Sequence, residues 1–146
     1  MITLRPYQEE AVNQALWHFQ NYNNPFIVLA PTGSGKSYII SEICHRLNEP
    51  ILILQPTKEI LEQNYAKLRS YGIDDIGIYS ASMNSKTIDK FTYATIGSIY
   101  KKPELFSHFK YVLIDEAHLV DPKNINGMYS TFFAAINCHH ICGLTA

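Results

Sequence analysis

The sequence predicts an α/β fold: a parallel sheet with helices on both faces. Three observations carry the prediction. Short runs of consecutive apolar residues, such as I-L-I-L-Q at 51–55 and Y-V-L-I-D at 111–115, alternate along the chain with stretches of helical periodicity. Strands buried on both faces read as such continuous runs, and parallel strands need a crossover between them, usually a helix. The residues best suited to holding a ligand fall just after the ends of these runs, the edge at which open α/β sheets bind ligands.

Residues 7–20 place Ala11, Val12, Ala15, Leu16 and Phe19 at helical spacing, and Pro6 suits a first helical turn. Within this helix Trp17 and Phe19 are expected to pack in the core. Asn23, Asn24 and Pro25 break the pattern, and 26–30 is the first apolar run. A glycine-rich turn follows, then a helix from about 36 to 47. Pro50 resets the chain before the strand at 51–55, and Thr57 suits the N-cap of a helix with Ile60, Leu61, Tyr65 and Leu68 on one stripe. Residues 76–79 form a weaker strand signal and 80–89 a polar connection. A strand at 91–95 and a short helix at 97–100 precede the strand at 111–115. A loop at 121–127, a helix at 129–137 and a last strand at 140–144 complete the reading.

With 146 residues, 47% of them hydrophobic and 17% charged, the chain has the size and balance of one globular domain. The formal net charge of -1 excludes a strongly basic footprint. It does not exclude a nucleic-acid partner, because phosphates are also held by backbone N–H groups, helix N-termini and hydroxyls. The three cysteines give no disulfide framework, no secretory pattern follows Met1, and no apolar run is long enough to span a bilayer. A cytoplasmic protein without a membrane partner is expected.

Two motifs carry the chemistry. The segment A-P-T-G-S-G-K-S at 30–37 follows the first apolar run. Its glycines, Gly33 and Gly35, let the backbone wrap a phosphate chain, with Thr32 and Ser34 completing the loop and successive N–H groups facing inward. Lys36 supplies a charge for the terminal phosphates of ATP and Ser37 a hydroxyl for Mg²⁺. The segment D-E-A-H at 115–118 follows another apolar run. Two adjacent acids at a strand end are costly without a cation or a catalytic task. Asp115 would help to hold Mg²⁺, and Glu116 would orient and deprotonate an attacking water. Lys36, Asp115 and Glu116 are therefore the predicted catalytic residues, with Ser37 and Asp115 the metal holders.

Around these motifs the sequence resembles the superfamily 2 helicases and translocases, over nearly its whole length. L-R-P-Y-Q at 4–8 is similar to the family's adenine-reading motif, which implies that Gln8 hydrogen-bonds the adenine edge and that Arg5 lies against its face. Q-P-T-K-E-I-L-E-Q at 55–63 and T-I-G-S-I at 95–99 resemble the motifs that touch a nucleic-acid backbone, implying contacts from Pro56, Thr57, Lys58, Thr95 and Ser98. Gly97 stands where that second motif commonly has glutamine. G-L-T-A at 143–146 resembles the start of the motif that links hydrolysis to strand movement, so Thr145 and His118 are expected to couple the two. The resemblance is closest to the RadD-like and XPB-type DNA repair helicases. It implies an N-terminal RecA-like P-loop NTPase domain over 1–146, acting on nucleic acid, DNA rather than RNA, with a second RecA-like domain that this chain lacks and without which hydrolysis is nearly absent. A restriction-system translocase or an RNA helicase is the alternative track. A non-hydrolysing ATP-binding recruitment module is the alternative class, which an intact Glu116 disfavours. Cys138, His139, His140 and Cys142 do not have a usual zinc spacing, and the buried strand at 141–144 points alternate residues to opposite faces, so they are read as structural.

Overall fold

A computed structural model describes residues 3–30, 35–117 and 127–145. Three predicted features fall outside them: the cradle residues Thr32, Gly33 and Ser34, the coupling residue His118, and the loop at 121–126.

Among the described residues, the α-helices and strands follow in chain order: helix α1 (Pro6–Asn21), strand β1 (Phe26–Leu29), α2 (Gly35–Leu47), β2 (Ile51–Gln55), α3 (Lys58–Arg69), β3 (Ile76–Ser80), β4 (Ser85–Lys86), β5 (Phe91–Thr95), α4 (Ile96–Ile99), β6 (Tyr111–Asp115), α5 (Met128–Ile136) and β7 (His140–Thr145). The strands form one seven-stranded sheet in the order β1-β7-β6-β2-β5-β3-β4. Every pairing is parallel except that of β3 with β4, where Tyr79 faces Lys86 and Ser80 faces Ser85. The polar connection expected at 80–89 thus hides a short edge strand, which leaves too few residues for any periodicity to show.

Period-two alternation divides the strands between two cores. Val28, Ile51, Ile53, Tyr93, Leu113, Cys142 and Leu144 face α1, α2 and α3. Leu52, Leu54, Ala94, Val112, Ile114 and Ile141 face α4, α5 and the aromatic cluster of Phe106, Phe109 and Phe132. The predicted cover of both faces is therefore present in the middle of the sheet. It fails at β1, an edge strand, where Ile27 and Leu29 are 58% and 74% exposed while Val28 between them is buried.

Helix α1 begins with Pro6 and buries Ala11, Val12, Ala15 and Phe19. Trp17, expected in the core, is instead 57% exposed: it packs on Tyr22 and lines an open groove beside the edge strand β1, where no further strand among the described residues covers it. Arg46 of α2 grips α1 from outside: it donates from both Nη atoms to Glu9 at 2.7 Å and from Nε to Glu42 at 2.8 Å. That clamp ties α1 to α2, and Gln8 at the start of α1 reaches the Gly35 carbonyl at the start of α2. Among the described residues, no helix is long and apolar enough to cross a membrane.

Candidate active site

Parallel pairing brings five strand ends to one edge. Leu29 lies opposite Thr145, Asp115 opposite Leu144, Gln55 opposite Thr95, and Leu54 opposite Ile114. Ala30 after β1, the turn after β6 and the starts of α2 and α3 therefore share one side of the sheet. Ala30 is tied there by its N–H, which donates to the Thr145 carbonyl at 2.7 Å. Thr145 thus adjoins Ala30, the last described residue before the glycine-rich turn.

The centre of this edge is an ion cluster. Lys36, only 9% exposed, projects from the first turn of α2. Its Nζ lies 3.3 Å from Asp115 Oδ1 and donates to Glu116 Oε1. Asp115 is 2% exposed, and its burial raises the carboxyl above its usual range, against the pull of Lys36 and a hydrogen bond from Asn64. The backbone N–H of Glu116 donates to Asp115 Oδ1 at 2.9 Å. Four non-glycine residues among those described have positive φ; three are asparagines, which tolerate it, and the fourth is Glu116 at 56°. A glutamate held in the left-handed region stores strain of about 1 kcal/mol or more, and such strain concentrates at functional sites. Glycine at 143 gives the turn room: a Cβ there would meet the Ala117 Cβ at 2.7 Å.

The donor set suits Mg²⁺ with a polyphosphate. Two carboxylates around one ammonium leave the cluster net negative, and a buried carboxylate with the Ser37 hydroxyl is a hard oxygen set at a helix N-terminus. Ser37 is half-buried beside Lys36.

Gln8 reaches the same place. It is buried, accepts from the Arg5 N–H at 2.8 Å and donates to the Gly35 carbonyl at 3.4 Å. Both its amide atoms are thus engaged with backbone, while Arg5 is exposed. The Gln8–Gly35 link brings the predicted adenine-reading segment to the cradle.

The predicted nucleic-acid residues separate into two groups. Thr57 is exposed and caps α3, accepting from the Ile60 N–H at 3.3 Å; Lys58 is exposed beside it and Pro56 half-buried. Thr95 and Ser98 are joined to each other at 2.9 Å. Thr95 also donates to Ser80 at 3.2 Å, and Ser98 accepts from the Ala81 N–H at 2.9 Å. Their hydroxyls therefore hold α4 to the end of β3 as well as facing the edge. Ser80 and Asn64 were not singled out from the sequence. Asn64 carried a visible signal: it is the polar member of the buried α3 stripe Leu61, Asn64, Leu68. Of the cysteine–histidine segment, Cys142 is wholly buried in β7, and the Cys138 thiol donates to the Lys110 carbonyl at 3.3 Å.

Residues 1–146 match the family described as Type III restriction enzyme, res subunit. The DNA 3'-5' translocase XPB2 of Sulfurisphaera tokodaii is 29% identical over 132 residues, 90% of this chain and 28% of its own length. A protein of African swine fever virus, named for a proposed ATP-dependent RNA helicase activity, is 32% identical over 149 residues, 96% of this chain and 28% of its own. The crystal structure of the UvsW helicase from bacteriophage T4 superposes with a TM-score of 0.75 at 24% identity, over 99% of this chain and 52% of that one. The chain thus spans little more than a quarter of the length of the curated relatives it matches. The family match makes the chain a member of the Type III restriction enzyme res-subunit family, and its fold is the RecA-like one seen in helicase structures.

Proposed function

We propose that this chain is the ATP-binding motor domain of a helicase or translocase that moves on nucleic acid, DNA rather than RNA. The observation that carries the proposal is the placing of Lys36 between Asp115 and Glu116, at the start of α2 and at the sheet edge shared by Ala30 after β1 and the turn after β6. Thr32, Gly33, Ser34 and Gly35 would cradle the phosphates, and Lys36 would hold the terminal ones. Ser37 and Asp115 would hold Mg²⁺, which supplies charge stabilisation on the phosphates when bound. Glu116 would orient the attacking water and take its proton, from a position that its left-handed backbone fixes. Gln8 and Arg5 would meet the adenine, and Thr145 with His118 would pass the state of the site to the strand. Pro56, Thr57, Lys58, Thr95 and Ser98 would follow one strand's backbone; the name of the XPB2 relative supports DNA as the track, and that of the viral relative supports RNA. Arginines from a second RecA-like domain would complete the charge stabilisation, so residues 1–146 alone would bind nucleotide and hydrolyse it very slowly.

The test is Glu116→Gln in a protein that carries both RecA-like domains. Turnover stimulated by single-stranded DNA should fall by about 100-fold or more, the usual worth of a general base, while ATP binding stays within about twofold. Unchanged turnover would refute the assignment. Replacing the DNA with RNA in the wild-type assay separates the two tracks.

A further inference from the structure

We infer that Asn64 is a positioning residue for the cation site: from α3 it fixes the free face of Asp115. The inference rests on the ATP-site reading above and adds to it a residue outside the recognised motifs. Asp115 Oδ1 is committed to Lys36 at 3.3 Å and to the Glu116 N–H at 2.9 Å. The second oxygen, Oδ2, accepts from Asn64 Nδ2 at 3.1 Å. The same Nδ2 donates to Gln55 Oε1 at 3.0 Å. Both partners are acceptors, so the amide must present its NH₂ to them, and this orientation leaves no freedom to flip.

Its surroundings lock that orientation. Asn64 is 3% exposed and Gln55 is wholly buried. The Tyr93 hydroxyl donates to the Asn64 backbone carbonyl at 3.3 Å, which pins the middle of α3 to β5. An asparagine on a buried apolar stripe is costly without partners, and here it spends its donor on one strand-end glutamine and one strand-end carboxylate. Groups that hold a ligating carboxylate by hydrogen bond set its orientation, and losing one typically lowers metal affinity by about 10–100-fold. Asn64 stands in that relation to Asp115. It sits two helical turns beyond Thr57, so one rigid element carries both the α3 cap and the carboxylate's support.

The test uses residues 1–146 with Asn64→Leu, close in volume but without a donor, and Asn64→Ala, which only removes atoms. Binding of a fluorescent ATP analogue is measured against Mg²⁺ concentration and again in chelator, with thermal unfolding in parallel. The expected result is a half-saturating Mg²⁺ concentration raised about tenfold. Mg²⁺-free nucleotide binding should remain within about twofold of wild type, since no shared contact is lost. A half-saturating concentration unchanged in a folded variant overturns the inference. So does a parallel loss with and without Mg²⁺, or failure of both variants to fold, each of which makes Asn64 a scaffold residue only. If the wild-type chain binds no nucleotide, the ATP-site reading itself fails, a result that the variants are not needed to recognise.

Discussion

At the scale of single residues, the site depends on how one buried carboxylate is held. Asp115 is pushed towards its protonated form by burial and pulled back by Lys36 and Asn64, and burial prevails. A raised folded pKa means that the carboxyl keeps its proton at a pH where an ordinary aspartate, near 3.9, has already lost it. Cation binding needs the deprotonated form. The half-saturating Mg²⁺ concentration for nucleotide binding should therefore climb as pH falls, and the climb should begin above the ordinary aspartate range. Below the folded pKa it should rise about tenfold per pH unit, as one proton competes with one cation. Mg²⁺ titrations from pH 8 downward, referred to Asp115→Asn to remove the nucleotide's own titration, check this. A difference profile flat down to ordinary aspartate pH would show that burial does not govern the group. Lys36, Asp115 and Glu116 were all readable from the sequence, because each belongs to a contiguous motif. The left-handed backbone of Glu116 was not, since a glutamate gives no local sign of positive φ.

At the scale of elements, α3 shows how much a short segment specifies. Thr57 reads as an N-cap in the sequence and is one in the structure, accepting from the Ile60 N–H. Thr57→Ala should cost about 1 kcal/mol of stability, the usual worth of a cap. For a chain of this length that is a fall of roughly 3 °C in the unfolding midpoint. Thr57→Ser should keep the cap and the midpoint. If Thr57 also meets a strand phosphate, Ala should weaken oligonucleotide binding and Ser should not; equal affinities for both would leave Thr57 a cap alone. The apolar stripe of α3 marks Asn64 as a polar residue in a buried row, but not its partners Gln55 and Asp115, of which Asp115 is distant in the chain. Likewise Trp17 shares a helical pattern with Phe19, and only the placing of α1 on the sheet decides that Phe19 is buried and Trp17 is not. Periodicity finds an amphipathic helix, but its stripe is wide enough to leave a flanking aromatic ambiguous.

At the scale of the whole molecule, the sheet was legible in its interior and less so at its edges. The runs at 51–55 and 111–115 are continuous because β2 and β6 have neighbours and cores on both sides. Phe26–Leu29 is just as continuous, yet β1 lies at the edge with its second face open, so an apolar run alone does not tell a central strand from an edge strand. β4 at the opposite edge is too short to register at all. The global property that the sequence does settle is charge. Twelve basic residues against thirteen acidic ones give a formal net charge of -1, so long-range attraction to a polyanion is weak. Of the proposed strand contacts, Pro56, Thr57, Thr95 and Ser98 are neutral and only Lys58 is charged. Counterion release then involves about one phosphate, and log affinity for a single strand should fall with log salt at a slope of about −0.7. Raising salt from about 50 to about 200 mM should weaken binding only about threefold. Lys58→Ala should flatten even that dependence, because hydroxyl and backbone N–H contacts release no ions. Anisotropy titrations of a labelled single-stranded oligonucleotide with residues 1–146 measure the slope directly. A slope of about −3 or steeper would mean that several cations meet the strand, and would move the interface away from the starts of α3 and α4 to a basic surface elsewhere on the domain.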